Sequence, residues 1–358
     1  MKTANLLFDT PTDAKVIFPN ANNMVRKLLS TKILLLAAVL LVVPALLPAQ
    51  SLTIYSGRSK ALVEPLIQKF EQEHGVRVNV RYGGSTQLAV ALLEEGRRTP
   101  ADIFWAQDAG ALGAVHRGEM FQQLPEELLN LLPEQLHNSR GTWLATSGRA
   151  RVMAYSSARV DTAALPNSVF GLTDDRWQNR VGWAPSNGSF QSFLTSMRLL
   201  EGDETTLQWL RDMRDNGAQS YINNSALLQA IAAGEIDIAL TNHYYLFRFR
   251  ESNPRFPVDQ TYFAPNDPGN LVNVAGIGIL NTASNRETAL AFIHFLLEVE
   301  NQQWVTDEVF EYPVREDISA VPGQTTLQDI RELSPVLDLD ELSDLNQTLN
   351  LLRRAGLL

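Results

Sequence analysis

Short β-rich runs alternate with amphipathic helical runs from residue 52 onward, and this alternation restricts the chain to an α/β architecture in which helices cover mainly parallel sheets. Leu52 to Tyr55 reads as a first strand, and Ser59 to Glu73 then places Leu62, Leu66, Ile67 and Phe70 at helical spacing, with Gly75 as the stop. Val76, Val78, Val80 and Tyr82 alternate with Arg77, Asn79 and Arg81, the period-two signature of a strand, and Gly83 and Gly84 break it before a helix that begins near Ser85. These pieces make a βαβ unit. Ala101 to Trp105 is another apolar run, Ala226 to Ala233 reads as a helix stopped by Gly234, Ile236 to Leu240 as a strand, and Arg286 to Glu298 as a late amphipathic helix. No repeat and no Gly/Ser tether separates domains, so a hinge in a chain of 358 residues must be made of chain crossings.

Ahead of this pattern stands a leader. Arg26, Lys27 and Lys32 precede an uncharged stretch from Ile33 to Ala49. The apolar part before Pro44 is eleven residues long, short of the roughly 20 that a spanning helix needs, and Ala45 or Ala49 offers a small residue for cleavage. Residues 1–50 are therefore expected to be a secretory signal, with Met24 as an alternative start that would make it compact. An exported, periplasmic protein follows.

The leader carries five Lys/Arg against two Asp, so the remaining 308 residues hold 25 basic and 38 acidic groups, a net charge of −13. A body this acidic repels nucleic acid and anionic lipid, and no Lys/Arg-rich run overrides the mean. The absence of cysteine removes disulfides, thiolate metal sites, iron–sulfur clusters, a thiol nucleophile and a lipid-anchored lipoprotein. No HExxH, GxGxxG, Walker or GxSxG motif occurs, and the five histidines, His74, His116, His137, His243 and His294, show no i,i+4 pair. The carboxylates show no spacing that singles out an acid/base pair. Nothing in these patterns supports an enzyme.

Adjacent Tyr244 and Tyr245 follow directly on the apolar strand IDIAL. Together with the opening LTIYSGRS, TPADIFWAQD, SGRARVMAY, SNGSF, NNSALLQAI and EYPVRED, they run in one order from Leu52 to about Ile318. In this series the chain resembles the periplasmic ferric-ion-binding proteins of bacterial iron import. The resemblance implies a two-lobed, type II periplasmic-binding-protein fold with chain crossings between lobes. It divides the chain into 51–147 plus 275–322 as the N-terminal lobe and 148–274 plus 323–358 as the C-terminal lobe, with iron in the cleft.

Carried over residue by residue, the resemblance implies Tyr244 and Tyr245 as ferric ligands and Tyr155 as a third, in the manner of a three-tyrosine subgroup. The histidine and glutamate used by other members fall on Ser59 and Gln107, neither an anionic donor. In the three-tyrosine subgroup an anion such as carbonate completes the site, held by an arginine that falls on Arg58. For a phosphate-using branch the anion contacts fall on Asn187, Gly188, Ser189, Asn224 and Asn242; read from composition alone, the same residues are ordinary turn and N-cap types.

Elementary chemistry agrees with the cargo. Fe³⁺ is a small, hard cation that prefers anionic oxygen. Removing the proton of a free tyrosine at pH 7 costs about 4 kcal/mol, which the bound cation must supply. Three phenolates balance its charge, and an interposed anion turns a nearby arginine from a repulsive neighbour into an anchor. The expected role is capture of Fe³⁺ without catalysis, by a monomer that delivers it to an ABC permease of the inner membrane. Two rival readings stand beside it: the same fold binding a small organic solute or an oxyanion, and an exported sensor domain.

Overall fold

The computed structural model describes residues 51–358; the leader and the alternative start at Met24 lie outside them. Strand β1 (Ser51–Ser56) leads into helix α1 (Lys60–His74), whose buried stripe is Leu62, Val63, Leu66, Ile67 and Phe70. The helix ends where Gly75 turns left-handed (φ 64°) and its N–H reaches the Glu71 carbonyl. Strand β2 (Arg77–Tyr82), helix α2 (Ser85–Glu95), strand β3 (Ile103–Ala106) and helix α3 (Ala109–Arg117) continue the alternation. Asp108 caps α3 by accepting from the Ala111 N–H at 3.0 Å.

The chain then enters β4 (Leu144–Ser156), thirteen residues long and buried throughout. Beyond it come β5 (Val181–Trp183), α4 (Gly188–Glu201), α5 (Asp203–Asp215), β6 (Gln219–Ser220), α6 (Asn224–Ala233), β7 (Ile238–Asn242), α7 (Tyr244–Ser252) and β8 (Val258–Thr261). Strand β9 (Val272–Ile279), helices α8 (Arg286–Leu297) and α9 (Val299–Trp304), a π-helical turn (Val305–Val309), α10 (Leu327–Leu333) and α11 (Leu345–Arg354) complete the described chain.

The strands follow one path, β2-β1-β3-β9-β4-β7-β5-β6, with β8 added on β4. Parallel pairing is confined to the two ends of that path, β2-β1-β3 and β7-β5-β6, as βαβ crossovers require. The middle is antiparallel. One edge of β4 pairs with β9 through Ala150 and then with β8 from Met153, while its other edge takes β7 from Arg151. A single strand thus belongs to both halves, and the changeover falls at Ala150–Arg151. This is the mixed form of the α/β architecture expected, and the antiparallel seam is what the crossings add.

The last residues touch both halves. The turn Leu339–Ser343 packs on α3, where Gly110 and Gly113 leave room for the Leu342 carbonyl and the Ser343 side chain, while α11 packs on α4 and α5.

Candidate functional site

The strand-to-helix junction β7–α7 carries the tyrosine pair. His243 already has helical angles (φ −56°, ψ −41°), so Tyr244 and Tyr245 open α7 without an extended cap residue between them and the strand. Neighbours on a helix diverge by about 100°, yet the two rings stack with centroids 4.3 Å apart at 27°. Tyr244 is buried and Tyr245 partly open. Burial holds the Tyr244 hydroxyl well above the usual phenol range; the charges of Tyr245 and Glu311 push the same way and Arg149 opposes them.

Two arginines of β4 face this pair. Arg149 and Arg151 are 2% and 3% exposed, in a strand otherwise apolar here, and lie two residues apart, hence on one face. Arg151 donates to Asn242 Oδ1 (3.0 Å) and to the Leu240 carbonyl (2.8 Å), and its guanidinium lies 6.0 and 5.8 Å from the Phe190 and Phe193 ring centroids. Its pKa falls to about 9, chiefly through burial; the Tyr245 and Tyr244 hydroxyls work against that fall. The terminal nitrogens of Arg149 and Nε of Arg151 are buried without a hydrogen-bond partner, a costly state unless an acceptor arrives. Together with Ser189, Asn242 and Asn273 they line one small cleft.

Of the expected anion contacts, Ser189 and Asn242 line this cleft. Asn187 caps α4 by accepting from the Ser189 N–H at 3.0 Å, and a Cβ on Gly188 would meet nothing within 4 Å. Asn242 Nδ2 donates to Ser189 Oγ at 3.2 Å. The cap of α6 is Asn223, which accepts from the Ala226 N–H at 2.9 Å; Asn224, 1% exposed, is thereby left with both amide atoms unpartnered.

Tyr155 and Arg58 have other neighbours. Tyr155 sits in β4 opposite Ile238 and Asp259, in the core that contains Met153 and Leu240, whereas its neighbour Ala154 joins the cluster against which Tyr245 packs. Alternate strand residues face opposite sides, so Tyr155 lies on the same face of β4 as Arg149 and Arg151, four residues beyond the latter. Its hydroxyl is raised by burial and by Asp259, with Arg250 opposing. Arg58 is engaged by Glu311, donating to both carboxylate oxygens at 3.0 and 2.8 Å, and also by Gln107 Oε1 at 2.8 Å. That bidentate pair is fully buried, and although burial works against the Glu311 carboxylate, Arg58, Arg149 and Ser147 hold it below the usual range. Gln107 thus accepts from the arginine in the first loop.

Arg149, Arg151 and Glu311 were not among the expected site residues. The two arginines had a signal, a pair of charges at period two inside the apolar run of SGRARVMAY; Glu311 had none beyond its place in EYPVRED. Among the described residues no cluster of three His, Cys, Asp or Glu side chains is placed to hold a metal. No helix of the described residues is long and apolar enough to cross a membrane.

A two-half α/β scaffold with buried, unsatisfied donors at its seam defines a binding protein, and residues 65–329 match the family of bacterial extracellular solute-binding proteins, to which the chain belongs. Within it the chain belongs to the periplasmic ferric-ion-binding proteins, which are transport components and not enzymes. It is 31% identical over 336 residues to the major ferric iron-binding protein of Neisseria meningitidis serogroup B, covering 90% of this chain and 97% of the relative. It is 30% identical over 312 residues to the Fe(3+)-binding periplasmic protein of Serratia marcescens, covering 86% and 91%. Iron-bound HitA from Pseudomonas aeruginosa superposes with a TM-score of 0.81 at 30% identity, over 86% of this chain and 99% of that one. A Trichodesmium protein in complex with iron and citrate, 27% identical, gives 0.73 over 86% and 100%.

Proposed function

We propose that this protein is the extracytoplasmic solute-binding component of an ABC importer, and that it captures Fe³⁺ between its halves through the phenolates of Tyr244 and Tyr245 with an oxyanion beside them. The observation that carries the reading is the stacked tyrosine pair at the β7–α7 turn, set against two buried arginines some of whose N–H groups lack acceptors. Two phenolates leave one positive charge on a ferric ion, and an oxyanion placed between that ion and Arg149 and Arg151 satisfies both sides. The N-terminus of α4, with Asn187, Gly188 and Ser189, and the amides of Asn224 and Asn242 supply further donors of the kind that hold carbonate or phosphate.

In this reading Arg58 acts through Glu311 and not on the anion directly, and Tyr155 is a core residue. The halves are proposed as lobes, 51–147 plus 275–322 and 148–274 plus 323–358, that close on the cargo and present a surface to an inner-membrane permease. The protein acts as a periplasmic monomer released from its leader.

The test is spectroscopic. Apo protein given ferric citrate should develop a visible phenolate-to-iron charge-transfer band, and Tyr244→Phe combined with Tyr245→Phe should abolish the band and the tight binding. An unchanged band in the double variant refutes the assignment. A second reading, an oxyanion binder without iron, draws on the unpartnered arginine N–H groups; calorimetry with phosphate or bicarbonate in the absence of iron separates the two, since the ferric reading expects weak anion binding that strengthens when iron is present.

A further inference from the structure

Beside the tyrosine pair the structure holds a largely buried element of which the proposed function uses only Glu311. The π-helical turn Val305–Val309 ends at Phe310, which takes a left-handed conformation (φ 62°) unfavourable for a side chain of this size. Tyr312 then forms a two-way bridge with Gly148 on one edge of β4, with both N–H to O distances at 2.8 Å. Two residues further along that edge the His243 N–H donates to the Ala150 carbonyl at 3.1 Å, and β7 takes over at Arg151. Phe310–Tyr312 and the tyrosine-bearing junction therefore abut end to end at the seam of the two halves.

His243 joins them. Its Nδ1 accepts from the Ala150 N–H at 3.2 Å, which leaves Nε2 to donate to the Phe310 carbonyl at 3.0 Å, so both nitrogens of a fully buried neutral ring are spent. The ring lies flat on Tyr312 (4.1 Å, 15°), and Phe247 of α7 stacks on Phe310 (6.1 Å, 20°). On the far side Glu311, between these two contacts, is the carboxylate that holds Arg58 and accepts from Ser147. A continuous buried path thus runs from the first loop through Arg58, Glu311 and Phe310 to His243 and the tyrosines that follow it.

We propose that Phe310–Tyr312 is a latch at the seam and that His243 is a positioning residue, which through the Phe310 carbonyl holds the Tyr244–Tyr245 turn in register with the half that carries Arg58. The strain at Phe310 fits an element held in place from several sides at once. This inference rests on the ferric reading of the tyrosine pair.

The two nitrogens of His243 can be tested separately. In His243→Gln the amide falls where Nε2 was and can still donate to Phe310; in His243→Asn it falls where Nδ1 was and keeps only the Ala150 contact. If the imidazole merely fills the core, Asn, one methylene smaller, costs more stability than Gln, but neither variant alters iron release or the band. The latch predicts that His243→Asn releases iron to excess citrate about tenfold faster and shifts the charge-transfer band, as loss of a partner behind a metal ligand does. His243→Gln should stay within about threefold of wild type. Phe247→Leu leaves the histidine intact, guards against a variant that fails to fold, and should speed release in the same direction. Equal behaviour of Gln and Asn, or release and band unmoved in the Asn and Phe247 variants, overturns the latch. A band that depends on Tyr244 and Tyr245 but ignores His243 sinks the latch alone, whereas a wild-type protein without any band sinks the ferric reading and the latch with it.

Discussion

In the proposed reading, Arg149 and Arg151 show most directly how a single side chain is shaped by function. Two charges are buried a strand step apart, and only some of their N–H groups find acceptors among the described residues. For stability alone an apolar pair of similar length would serve as well or better, because the desolvation of a buried charge is seldom recovered in full. Exchange of both for methionine should therefore leave the stability of the iron-free protein equal or higher by urea unfolding, while removing its response to anions. Wild-type protein should gain about 2.7 kcal/mol from phosphate at a hundredfold excess over its dissociation constant. The Met/Met variant should gain nothing, and a variant that keeps the full phosphate gain would show that the arginines do not hold the anion.

At the scale of elements, close packing decides which changes the scaffold tolerates. A Cβ on Gly113 of α3 would lie 2.8 Å from Ser343 Cβ and 2.9 Å from the Asp340 carbonyl oxygen, so Gly113→Val must push the backbone of the Leu339–Ser343 turn away and should cost about 1–3 kcal/mol in urea unfolding. Gly188→Ala meets nothing within 4 Å and is the matched control, expected not to destabilise. The contrast also shows what was legible in the sequence. The helix over Ser59–Glu73 with its Gly75 stop, the β2 alternation and the helix before Gly234 follow from local periodicity and caps, and the structure places them within a residue or two. The tyrosine pair was legible from its position after an apolar strand. The surroundings of Tyr155 were not, because its partners Ile238 and Asp259 come from strands about 80 to 100 residues further along the chain. The Arg58–Glu311 pair spans 253 positions and leaves no local trace. Asn224 and Asn223 are equally good cap residues by type, and only the backbone shows which one is spent.

On the scale of the whole molecule, lobe closure requires that the halves move about β4 and β9, yet the C-terminal residues tie them together a second time. Asp340 accepts from the Trp143 indole at 2.9 Å and from Asn138, and Arg117 donates to the Ser343 carbonyl at 2.8 Å, all on the side of α3. A few residues later Asp344 accepts from Arg198 of α4 at 3.1 Å and α11 settles on α4 and α5. If the halves open and close on iron as proposed, a strap of this kind should limit how far they separate without it. Asp340→Ala should cost about 1–3 kcal/mol for each donor it strands, since the Trp143 indole and the Asn138 amide are both buried. It should also raise the radius of gyration of the iron-free protein in X-ray scattering, with little change once iron is bound, because the cargo then supplies the bridge. Lost stability with no change in the iron-free radius would reduce the strap to ordinary packing, and would leave the crossings at β4 and β9 as the elements that set the range of motion.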